Sequence, residues 1–112
     1  QLDRVNVDST VALVQEAVQQ GVETIVVLSS LAALGPSSGG VAVDDNAKAS
    51  PVSMYGESKK RMEKALSRID LGSSRLIVIR PPAVYGPREE HIFQFFKVAL
   101  LHYFSKECII RA

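Results

Sequence analysis

The chain has 112 residues, 46% of them hydrophobic, with 13 basic and 12 acidic side chains and a net charge of +1. This suits one globular core and provides no broad field to attract nucleic acid or an anionic membrane. Lys97, His102 and Lys106 interrupt the best apolar run well short of the ~20 residues a membrane helix needs, so no membrane segment is expected.

From about Asp3 to Gln20, Val7, Val11, Val14 and Val18 recur in steps of three and four and predict one helix with a single apolar stripe. Gly21 stops it as a left-handed C-terminal residue would. Ile25, Val26, Val27 and Leu28 then form an unbroken apolar run, the pattern of a parallel strand covered on both faces. Gly35, Pro36, Gly39 and Gly40 break regularity, and residues 41–51 read as exposed loop. A second helix is predicted from near Pro51 to about Ile69, with Lys59–Glu63 and Glu57–Arg61 as i,i+4 pairs on its wet side. The run "RLIVIRPP" is a second strand, cut off by Pro81 and Pro82. Helical spacing resumes from Glu89 to about Phe104 through Ile92, Phe96, Ala99 and Tyr103.

Helix, buried strand, helix, buried strand, helix argues for an α/β architecture with a parallel sheet. Two parallel strands cannot bury both of their own faces, so the sheet is expected to be part of a larger one. The N-terminus is polar, lacks a signal-peptide pattern and begins without methionine inside a helical stretch, which predicts a piece of a longer protein. Cys108 has no partner for an internal disulfide, which suits a reducing, cytoplasmic compartment. His91 and His102 lack metal-ligand partners at useful spacing, and no metal site is expected.

In open parallel sheets, ligands bind beyond the C-terminal ends of the strands. Here the first strand ends in Ser29 and Ser30, the second in Arg80, Pro81 and Pro82. The helix joining them carries Tyr55 and Lys59, which share a face at i,i+4 and can converge on one pocket with Ser30. The chemistry of such a trio is direct. A free tyrosine has a pKa of ~10, a fixed positive charge nearby favours its phenolate, and a serine hydroxyl can orient a substrate oxygen toward it. That describes a general acid/base set for proton transfer in step with hydride transfer. The plain alternative is an aromatic packing anchor beside a solvated lysine.

The segments "LSSLAALG", "PVSMYGESKK" and "VIRPPAVYGPRE", in that order and spacing, resemble the extended short-chain dehydrogenase/reductase family. Within it, the sequence is most similar to the NAD-dependent epimerase/dehydratase branch. The tyrosine–lysine pair alone is weak, but a serine strand end about 25 residues before it and a proline turn about 25 after it make the combination strong. The resemblance implies part of a Rossmann-like, doubly wound parallel sheet. Residues 1–87 would belong to the NAD(P)-binding domain and 88–112 to the start of a substrate-binding region. It implies catalytic roles for Ser30, Tyr55 and Lys59, with Ser29 the second choice for the serine. It also implies cofactor contacts from Tyr55, Lys59, Pro81, Pro82 and Val84, and a partly structural role for Asn6. Ser9 stands where the family pattern has glycine.

The family's glycine-rich pyrophosphate turn is absent: "GPSSGG" has neither its spacing nor its strand-to-helix setting. The N-terminal glycine-rich half is therefore expected to lie outside these residues, which alone should bind NAD(H) poorly. The resemblance favours NAD over NADP, a small nucleotide-sugar-like substrate and a homodimeric parent. A 3β-hydroxysteroid or sterol-type dehydrogenase of the same family is the alternative enzyme. A non-catalytic cofactor-binding or interaction module is the alternative of another class.

Overall fold

A computed structural model describes residues 1–37, 44, 47–84, 86, 94, 97 and 98. The chain divides into two compact units, Gln1–Pro82 and Ala83–Ala112. In the second, the described residues Gln94, Lys97 and Val98 are helical. The rest of the helix expected over 89–104, with His91, His102 and Cys108, lies outside the described residues.

The first unit opens with a π-helical turn, Arg4–Asp8, that runs directly into helix α1, Ser9–Gln19. Valine spacing predicts the helix but not the π turn, which is closed by the Ser9 N–H and the Ser9 hydroxyl both donating to the Arg4 carbonyl. Gly21 follows at φ 73°, left-handed as expected. Strand β1, Thr24–Leu28, pairs in parallel with β2, Arg75–Ile79, in a register that sets Val26 beside Ile77 and Leu28 beside Ile79. Helix α2, Met54–Leu66, links the two. It begins three residues later than Pro51 because Ser53 caps it, its hydroxyl accepting from the Gly56 N–H at 3.0 Å. Glu57 in the first turn and Lys64 in the last both suit the helix dipole.

Both helices pack on one face of the sheet. Val14, Val27, Met62 and Leu66 form the buried centre, with Val7, Val11, Ile25 and Leu76 against it. The opposite face differs from the sequence expectation. Val26, Leu28, Ile77 and Ile79 are all exposed, so the described residues cover the sheet on one side, as an incomplete sheet requires. What is present is a two-stranded parallel piece of an α/β fold.

Candidate functional site

The strand ends are laced together beyond the regular ladder. Ser29 N–H donates to the Ile79 carbonyl at 2.7 Å and Leu31 N–H to the Pro81 carbonyl at 3.0 Å. Ser30 sits between these two bonds with an extended backbone and caps a 3-10 turn, Leu31–Ala33. Its hydroxyl oxygen accepts from the Ala32 N–H at 3.2 Å, which leaves the hydroxyl proton available for donation.

Its neighbour Ser29 faces a different environment. Ser29 is buried and its hydroxyl donates to the Glu63 carboxylate. Glu63 also receives Arg80 through both oxygens, Nε to Oε1 at 3.0 Å and Nη2 to Oε2 at 2.7 Å. The sequence-based pairing of Lys59 with Glu63 on the wet side of α2 is therefore not the arrangement found: Glu63 turns inward and Arg80 takes the pairing role. Burial alone would raise the Glu63 carboxyl. Hydrogen bonds from Arg80 and Ser29, with the charges of Arg80 and Lys59, outweigh it and hold the group below its ordinary value of 4.5.

Lys59 bonds the end of β1 instead, its ammonium donating to the Leu28 carbonyl at 3.1 Å. The same ammonium stands 5.9 Å from the centroid of the Tyr55 ring, close enough for a cation–π contact. Tyr55 itself is 43% exposed. The turn of α2 that carries Tyr55 is seated on the turn that follows Ser30. A Cβ on Gly56 would lie 3.0 Å from the Ala32 carbonyl carbon and from Pro51 Cβ, and would overlap the Ala32 carbonyl oxygen outright. Only glycine permits this approach. From below, the fully buried Ser58 donates to the Tyr55 carbonyl at 2.8 Å and accepts from Asn6 Nδ2 at 2.9 Å. Asn6 thus ties the first helical segment to the turn bearing Tyr55.

The structure brings Tyr55 and Lys59 together and pins Lys59 to Leu28, the last residue of β1, two residues before Ser30. Pro81 joins the Ser30 segment through its carbonyl, and Pro82 follows it, exposed. Val84 belongs to the second unit and is exposed. The i,i+4 pair Glu57–Arg61 is present at 3.8 Å, and Arg61 also meets Asp3 at 2.8 Å. Sequence reasoning passed over Ser58 and Gly56 and set Glu63 on the wet side of α2. Two signals existed: a glycine inside a helix marks a close approach, and Glu63 lies on the helix face that carries Tyr55 and Lys59.

What the geometry assembles is a lysine ammonium beside a phenol, bonded to the last residue of the strand that leads to a serine hydroxyl. Among the described residues no group of acidic, histidine or cysteine side chains could hold a metal, and no helix is long and apolar enough to cross a membrane. A family model described as 3-beta hydroxysteroid dehydrogenase/isomerase matches residues 1–108. No curated protein and no solved structure matches the chain significantly. With nearly its whole length matched, the chain belongs to the 3-beta hydroxysteroid dehydrogenase/isomerase family, within the extended short-chain dehydrogenases/reductases.

Proposed function

We propose that this chain carries the acid/base half of an NAD(P)-dependent dehydrogenase that oxidises a ring secondary alcohol, with a 3β-hydroxysteroid as the substrate class. Family membership supports the substrate class, and the family is NAD(P)-dependent. The observation that carries the chemistry is the Lys59 ammonium, held between the Tyr55 ring and the Leu28 carbonyl at the strand end that leads to Ser30.

In this reading Tyr55 accepts the substrate hydroxyl proton during oxidation and returns it during reduction. Lys59 holds a fixed positive charge beside the phenol and offers its remaining N–H donors to ribose hydroxyls of the dinucleotide. Ser30, whose oxygen is engaged by Ala32, donates its proton to the substrate oxygen and fixes that oxygen relative to Tyr55. Ser29 is committed to Glu63, which favours Ser30 over it for this role. When bound, NAD(P)+ supplies the hydride acceptor, with NAD the favoured form. Pro81, Pro82 and Val84 would lie on the nicotinamide side, as the resemblance implies. Residues 1–87 serve as the catalytic part of a Rossmann-like domain and 88–112 as the beginning of the substrate region. The pyrophosphate-binding turn is supplied from outside these residues.

A second reading, an epimerase or dehydratase acting on a nucleotide-sugar, has the resemblance of "PVSMYGESKK" and "VIRPPAVYGPRE" in its favour. The two separate in one assay of the full-length enzyme, with NADH absorbance followed for a 3β-hydroxysteroid and for a panel of nucleotide-sugars. Cofactor reduction with the steroid alone is expected. Conversion of a nucleotide-sugar without net cofactor reduction would transfer the assignment to the epimerases.

A further inference from the structure

Glu63 sits one helical turn beyond Lys59 and two beyond Tyr55, on the same side of α2. Its two carboxylate oxygens collect three hydrogen bonds from two other elements, Ser29 at the end of β1 and Arg80 at the end of β2. Ser29 immediately precedes Ser30, and Arg80 immediately precedes Pro81. We propose that Glu63 is a positioning residue for the reaction proposed above: one carboxylate sets the acid/base helix, the serine strand end and the proline turn in a common register. The inference rests on that reading of Ser30, Tyr55 and Lys59.

Three observations support it. The Glu63 and Arg80 side chains are only 16% and 25% exposed and meet in the two-pronged geometry that fixes orientation as well as distance. The strand ends that Glu63 grips are themselves joined, Ser29 N–H to the Ile79 carbonyl, so the carboxylate closes a triangle. The contacts of α2 flanking it are directed at the same corner: Lys59 at the Leu28 carbonyl and Gly56 against Ala32. Without the carboxylate, these two contacts and the Asn6–Ser58–Tyr55 chain would be left to hold the turn that bears Tyr55.

Stability and positioning are separable, because an ion pair of limited exposure can be exchanged for packed apolar side chains without loss of stability. The test uses the full-length enzyme with NAD+ and a 3β-hydroxysteroid. It compares Glu63→Gln with the double variant Glu63→Met/Arg80→Met, reading thermal unfolding, the KM for NAD+ and kcat. Glu63→Gln is expected to lower kcat by about 10- to 100-fold, a loss typical of a small misplacement, while the KM for NAD+ changes by less than about threefold. The double variant is expected to recover melting temperature and keep the low kcat. Recovery of kcat together with stability would overturn the proposal, as would a Glu63→Gln enzyme with wild-type kcat. Should neither variant fold, Ser29→Ala decides: it leaves the ion pair in place, a severalfold fall in kcat is expected, and an unchanged kcat overturns the claim. Tyr55→Phe, run in parallel, separates the failures. An active Tyr55→Phe enzyme removes the functional reading and this inference with it. An inactive one beside a fully active Glu63→Gln removes only the inference.

Discussion

Replacing Gly56 with alanine places a methyl group where the Ala32 carbonyl already stands, 3.0 Å from its carbon and from Pro51 Cβ, when ordinary contact begins near 3.4 Å. Neither neighbour is the far end of a flexible side chain, so the helix itself must move. Overpacking of this kind costs about 1–3 kcal/mol, and the better helix propensity of alanine returns at most about 1 kcal/mol. A net loss of about 1–2 kcal/mol is expected. The larger consequence is geometric: if Tyr55 is the acid/base proposed above, moving its turn by on the order of 1 Å should reduce kcat by about 100-fold. Gly21→Ala is the matched control. At φ 73° with nothing within 4 Å, it meets no neighbour, and its strain costs a similar ~1–2 kcal/mol far from the site. Denaturant unfolding and steady-state kinetics of the two full-length variants should show equal stability losses and very unequal kcat. A Gly56→Ala enzyme as active as Gly21→Ala would show that this contact does not set the Tyr55 position.

Two further outcomes follow from the hydrogen bonds around α2. Removing Asn6 leaves the fully buried Ser58 hydroxyl without its donor, so Asn6→Ala should cost about 1–3 kcal/mol in denaturant unfolding, and a loss under ~0.5 kcal/mol would deny the bond any weight. Glu63 is held below its ordinary value of 4.5 in the fold, so its contribution to stability is full above that pH and is lost as pH falls through the lower folded value. The stability gap between wild type and Glu63→Gln should accordingly be constant above 4.5 and close in more acid solution. A gap that widens with acid would reverse the assigned sign.

Local pattern made much of this arrangement legible. The valine stripe, the left-handed Gly21 and the two apolar strands are short-range signals, each corresponding to an element in place, and the parallel pairing follows from their alternation with helices. The i,i+4 relation of Tyr55 and Lys59 holds because any helix enforces it. Arg80, legible only as a strand-end residue, makes its ion pair with Glu63 there. What local pattern missed is long-range. Glu63 has a lysine one turn away, yet its partners are 34 and 17 residues distant. Side-chain spacing on one helix cannot reveal which strand ends that helix will meet. The covering of β1 on one face has the same origin, since an unbroken apolar run reports what a strand can tolerate, not what lies against it. The Ser53 cap was readable, but Pro51 drew the predicted boundary three residues too early.

The most direct measurement is the single-turnover rate of hydride transfer in full-length Tyr55→Phe, with NAD+ and a 3β-hydroxysteroid, alongside its affinity for NADH. If the phenol exchanges the substrate proton, the rate drops by at least about 100-fold while NADH still binds. A Tyr55→Phe enzyme that transfers hydride at the wild-type rate would mean that proton is handled elsewhere, and that Tyr55 is a packing residue with a lysine beside it.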